Sequence, residues 1–90
     1  MIYIRAIHMN GYGDTHQHIA AVRWRNPDGG DMGEITRARM VEWIRDKQGD
    51  ARVSDGTSEV RVGVIDGSPP YIRTYADGRW TNNLLSLPRV

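Results

Sequence analysis

The run Thr36-Arg37-Ala38-Arg39-Met40-Val41-Glu42-Trp43-Ile44-Arg45-Asp46-Lys47-Gln48 decides the fold class, because here alone the apolar residues recur at helical spacing. Met40, Val41, Trp43, Ile44 and the stem of Lys47 fall on one helical face, while Arg39, Glu42, Arg45 and Asp46 occupy the other. Thr36 is placed to cap the N-terminus, with Glu34 just ahead to favour the positive end of the dipole. Gly49 suits the left-handed residue that closes such a helix. The amphipathic face reads as docking onto a sheet. A membrane-surface role is disfavoured, because the polar face mixes both signs and the apolar face is short.

On both sides of this helix the period changes to two. Upstream, Ile2 to His8 alternates, with Ile2, Ile4 and Ala6 on one side and Tyr3, Arg5 and Ile7 on the other, as a first strand would. His18 to Trp24 offers a second strand, with His18, Ala20, Val22 and Trp24 on one face, expected to pair antiparallel with the first. Turn chemistry at Asn10 to Thr15 separates the two, and Asn26-Pro27-Asp28-Gly29-Gly30-Asp31 is the strongest breaker, expected to end the second strand. Downstream, Ala51 to Val53 reads as a short strand, and Glu59 to Ile65 as one whose Val60, Val62 and Val64 face the core. Tyr71 to Tyr75 returns as its hairpin partner after the turn Asp66 to Pro70, and Ala76-Asp77-Gly78 turns again. The tail Trp80 to Pro88 is too apolar for a frayed end and is expected to pack back across the domain. The expected architecture is α+β: a small curved antiparallel sheet of about four or five strands with one helix on one face, in the order β-β-α-β-β(-β).

Composition sets the outer limits. Ninety residues suit a single domain, and a chain of this size buries roughly 60–65% of its unfolded surface, enough to fold without staples. With no Cys, disulfides, thiolate metal sites and a cysteine nucleophile are excluded together. Met1 to Arg5 has no basic segment leading into an apolar one, and no apolar run approaches membrane-spanning length, so cytoplasmic residence is expected. Twelve basic and eleven acidic residues are interspersed, leaving no field of one sign to steer the chain toward nucleic acid. Every basic residue except Lys47 is Arg, a bias that a GC-rich coding sequence accounts for without a functional arginine surface. Phe is absent, so Trp24, Trp43, Trp80 and the four tyrosines supply the large apolar volume, with at least two tryptophans expected in the core.

At its tail the chain resembles a known family. Tyr71-Ile72-Arg73-Thr74, Asp77-Gly78, Asn82-Asn83-Leu84 and Leu87-Pro88 are similar to the closing signature of short bacterial and phage-type proteins grouped as domain of unknown function 3892. The strand Ile19 to Arg23, a Gly-rich turn and a helix beginning near Thr36 match its layout rather than its letters, and Met1 to His18 and Pro27 to Gly33 look like additions. The resemblance implies a fold and a cellular class but no activity. Physically the signature reads as architecture: a guanidinium stacked on a ring, a tight Asp-Gly turn, and Asn83 satisfying backbone groups where the tail crosses the sheet.

Chemistry is sparse. His16 and His18, with His8 and Asp14 nearby, would share a strand face in a metal site, but no local Cys or Glu completes a ligand set, and no metal or other cofactor is expected. The acids lie mostly in turns or on the polar helix face, where solvated carboxylates are the expectation. No Gly-x-Ser-x-Gly elbow and no phosphate-binding lysine loop occurs, so the chain is not read as an enzyme.

What remains is binding. Arg23, Trp24 and Arg25 are adjacent, and Tyr71, Arg73 and Tyr75 would line up on one strand face as a stacking and phosphate-contact stripe for single-stranded nucleic acid. The near-zero net charge argues against that reading. Leu84 to Pro88 superficially resembles the short leucine-rich peptides that dock onto the bacterial sliding clamp, and is either a buried strap or a docking peptide. The expected function is a non-enzymatic intracellular binding or accessory protein acting through a protein partner, with nucleic acid as the alternative. Its candidate residues are Arg23, Trp24, Tyr71, Arg73, Tyr75, Asp77 and Asn83.

Overall fold

The computed structural model describes residues 1–90 as seven strands and one helix: β1 (Ile2–Met9), β2 (Ile19–Arg25), β3 (Met32–Thr36), α1 (Arg37–Asp46), β4 (Ala51–Ser54), β5 (Glu59–Ile65), β6 (Tyr71–Ala76) and β7 (Arg79–Thr81). Short 3-10 turns occupy His16–His18 and Asn83–Ser86. The strands form one sheet in the order β3-β2-β1-β4-β5-β6-β7. All neighbours are antiparallel except β1 and β4, which run parallel through Ile2↔Ala51 and Tyr3↔Arg52.

The α+β class and the single helix stand, whereas the expected antiparallel sheet of fewer strands is corrected to a mixed sheet of seven. The strand absent from the expectation before the helix is β3. Its sequence, Met-Gly-Glu-Ile-Thr, follows directly on the breaker and is too short and polar to signal by alternation. Tertiary contact makes it a strand: the Trp24 indole crosses it at Gly33, where an added Cβ would come within 3.1 Å of the ring. The parallel pair is a consequence of α1, which carries the chain from β3 back across the sheet to lie beside β1.

Two local details depart from simple periodicity. Arg5 has no partner between the pairs Ile4↔Trp24 and Ala6↔Arg23, a bulge that shifts the alternation by one. Ile7, rather than Ala6, therefore joins Ile4 in the core cluster. The second strand begins at Ile19, not His18, and Ile19 is fully buried.

Thr36 ends β3 and caps α1, its Oγ1 accepting from the Arg39 N–H at 3.3 Å. Met40 and Val41 are buried, and Trp43 and Ile44 pack against the core, as the helical period requires. The left-handed closing residue is Gln48 (φ 54°) instead of Gly49. Gly49 is needed for a different reason, since the Trp43 ring occupies the space its Cβ would take; its N–H donates to Trp43 O at 3.0 Å.

Eleven buried apolar side chains from β1, β2, α1, β4, β5, β6 and the tail form one cluster. Helix α1 touches β2, β3, β5 and β6. In a flat sheet β3 and β6 would lie five positions apart, about 24 Å at ~4.8 Å per strand, wider than a helix of ~10–12 Å. The sheet is therefore curled around α1. The tail completes the curl: Leu84 is fully buried, the Ile7 N–H donates to Pro88 O, and the Val90 N–H donates to Ile7 O, both at 3.0 Å. It takes the edge of β1 that β4 leaves free beyond Tyr3.

Candidate binding surface

The hairpins β5-β6 and β6-β7 bring the largest set of candidate residues together. Pairs Ile65↔Tyr71, Gly63↔Arg73 and Arg61↔Tyr75 link β5 to β6, and Tyr75↔Trp80 links β6 to β7. Tyr71, Arg73 and Tyr75 thus share one face with Arg61, Gly63 and Trp80, opposite the buried Val62, Ile72 and Thr74. Asp77 (φ 54°) and Gly78 (φ 78°) form the two-residue turn that sets the β6-β7 register. Asp77 is thereby a turn residue.

Tyr75 and Trp80 meet edge to face, with ring centroids 5.1 Å apart and planes at 70°. Both stay exposed, at 44% and 42%. A groove of about 430 Å³ beside them is lined also by Ile44, Gly49 and Arg61, the last being its one charged group.

Arg73 is engaged inside the fold. Its Nε donates to Thr81 O at 3.1 Å and its Nη2 to Asn82 Oδ1 at 2.9 Å, fastening the β7 exit to β6. Asn82, rather than Asn83, meets this guanidinium; Asn83 opens the following 3-10 turn. His16 lies beside Arg73 in a cavity of about 280 Å³, buried, with Nε2 lacking any partner. Burial first, and the neighbouring Arg73 charge second, push its pKa below the ordinary imidazole value.

Arg23 and Trp24 lie elsewhere, on opposite faces of β2, with β1, β4 and β5 between them and β6. Arg23 Nε stands 4.0 Å from Glu34 Oε2 on β3. The three histidines do not converge. His8 Nδ1 is 2.7 Å from Val90 O and His18 Nδ1 2.7 Å from Thr15 Oγ1, and His16 and His18 sit in a 3-10 turn, not on a strand face. No group of three His, Asp or Glu side chains is placed to hold a metal ion.

One cluster escaped sequence reasoning. Arg52 donates to Asp50 through Nε and Nη2 at 3.0 and 2.9 Å and to Glu59 through Nη1 at 3.0 Å, while the Tyr3 hydroxyl donates to Glu59. Arg61 adds a contact of 3.8 Å to Asp50. Arg52 holds Asp50 below the usual carboxylate range; the Tyr3 hydroxyl and then Arg52 do the same for Glu59. Its members span positions 3 to 61; the antiparallel β4-β5 pairing brings Glu59 and Arg61 to Arg52, and the parallel β1-β4 pairing adds Tyr3, so no single local motif announces it.

No helix is long and apolar enough to cross a membrane. Among protein-family models, residues 3–88 match one described as "Protein of unknown function (DUF3892)". No curated protein and no solved structure matches.

Proposed function

The chain belongs to the DUF3892 family of unknown function, and from that premise we propose that it is a non-enzymatic intracellular module that binds a protein partner through the Tyr75–Trp80 face. The observation that carries this reading is the exposed aromatic pair itself, two rings held edge to face beside an open groove with a single arginine. Trp, Tyr and Arg are enriched among the side chains that anchor protein interfaces, and Trp and Tyr bury large area at small rotamer cost. The groove lining contains no carboxylate or imidazole to activate the Tyr75 hydroxyl, which supports binding over catalysis. The lack of Cys suits a reducing compartment such as the cytoplasm.

A pull-down from native lysate with the whole chain, run in parallel with Trp80→Ala, tests this. A protein retained by the wild type and lost with a folded Trp80→Ala variant is the expected result, and identical capture by both sinks the reading.

The alternative, single-stranded nucleic acid, draws on Tyr71, Arg73 and Tyr75 sharing one face. Against it, the Arg73 guanidinium is already donating to Thr81 and Asn82. A mobility shift with oligonucleotides at low salt would favour it, and no shift would remove it.

A further inference from the structure

Trp24 of β2 and Trp43 of α1 line a second cavity, of about 240 Å³, whose other walls are Ile2, Ile35 and Met40 and whose polar lining is Asn26 and Asp31. Both indoles rest against glycines: the Trp43 ring fills the space a Gly49 Cβ would need, and the Trp24 ring would stand 3.1 Å from a Cβ added at Gly33. The cavity therefore presents pre-set aromatic surfaces. Its polar end carries a negative charge without a partner, since the Asp31 carboxylate takes part in none of the ion pairs, while the Asp31 carbonyl accepts the Asn26 N–H at 2.7 Å and so positions the residue.

The charge pattern is unusual for this chain. Twelve residues are basic, and each of the other sizeable cavities is lined by at least one arginine. This one has no Arg or Lys in its lining and does have an acid. Aromatic faces carry the negative lobe of the ring quadrupole, so two indoles and a carboxylate together favour a positive guest. A primary ammonium would need several acceptors to replace its water, yet the side-chain lining supplies only the Asp31 carboxylate and Asn26 Oδ1, one lone pair of which already accepts the Asp28 N–H at 2.9 Å. A cation whose charge is sheathed in alkyl groups needs no such acceptors and gains from Ile2, Ile35 and Met40.

We propose that the Trp24–Trp43–Asp31 cavity binds an alkylated ammonium group, of the quaternary type. The site is separate from the Tyr75–Trp80 face, and neither assignment depends on the other.

The probe is choline chloride, titrated at constant ionic strength and followed by the indole N–H signals of Trp24 and Trp43. Its neutral carbon isostere, 3,3-dimethylbutan-1-ol, serves as comparison. Choline is expected to move both signals and to bind about tenfold more tightly than the isostere, as a cation–π contribution of this class implies. Asp31→Asn, in an exposed loop, should weaken choline by about two- to fivefold and leave the isostere unchanged. Asp28→Asn, outside the cavity, should leave both unchanged. A peptide bearing trimethyl-lysine distinguishes the source: tighter binding than choline assigns a modified protein tail, and equal or weaker binding a free small cation. The proposal is overturned if the isostere binds as well as choline, if Asp31→Asn leaves choline binding intact, or if neither cation moves the two indole signals.

Discussion

The Trp80 indole lies across Gly63, so close that a Cβ added at position 63 would stand 3.2 Å from the ring. Gly63 sits mid-strand in β5, where a residue without a side chain is otherwise a cost. Its presence lets the far end of the Trp80 benzo ring approach the β5 backbone while the ring meets Tyr75 edge to face.

Gly63→Val therefore tests the seat. By strand preference alone Val should stabilise β5, by up to ~1 kcal/mol; with the indole in the way, a net loss of about 1–3 kcal/mol is expected. Urea midpoints decide the sign, accompanied by red-shifted tryptophan emission. A more stable Gly63→Val variant would mean that Trp80 does not rest there.

Arg73→Lys should cost about 1–2 kcal/mol, because an ammonium cannot donate in a fork to both Thr81 O and Asn82 Oδ1. Faster amide exchange confined to Asn82–Ser86 is the accompanying signature. Uniform exchange rates would show that the guanidinium holds nothing.

Leu84→Ala removes a fully buried side chain from the core cluster and should cost about 2–5 kcal/mol in chemical denaturation. The same packing predicts that trypsin cuts the native chain slowly after Arg79. Prompt cleavage there, with the rest of the domain intact, would make the tail a free peptide and not a strap.

These outcomes bear on how far periodicity alone could be trusted. The helix, its Thr36 cap, the β5-β6 hairpin, the Asp77-Gly78 turn and the returning tail were all legible, since each is written in a short window of spacing and turn chemistry. The β1 face was misread because the bulge at Arg5 leaves no mark in the residue pattern. The aromatic pairing of Tyr75 with Trp80 was equally hidden, although both residues stood out individually.

His16 makes stability fall with acid. Its folded pKa is lowered, so as pH drops below ~6.5 the unfolded chain takes up a proton that the folded chain resists. Its stabilising contribution is complete above that value and declines below it. His16→Leu should flatten the dependence of urea midpoint on pH between about 7 and 5 and, because Nε2 has no partner to lose, change stability at pH 8 by no more than about 1 kcal/mol. A slope unchanged by the substitution would place the titration elsewhere.

Asp55 acts at lower pH. The backbone N–H groups of Ser58 and Thr57 and the Thr57 hydroxyl donate to its carboxylate and hold its pKa down to about 2. A depressed carboxylate contributes above its unfolded value of about 3.9 and loses that contribution as pH falls toward its folded one. Asp55→Asn should therefore show a shallower fall in urea midpoint between about pH 4 and pH 2.5 than the wild type; parallel curves would contradict the role of these hydrogen bonds.

What the amino-acid order determined by itself was local: one amphipathic helix among alternating strands, the turns between them, and an apolar tail with nowhere to go but inward. Those features depend on neighbours within a few positions, where spacing and backbone preference act directly. Which strand lies beside which was decided only in three dimensions, because alternation assigns a residue to a face but is silent on the partner across the ladder. The parallel meeting of Ile2 with Ala51, the ion network around Arg52, and the cavity between Trp24 and Trp43 all arise from that choice, made when the sheet curls to bury one shared core.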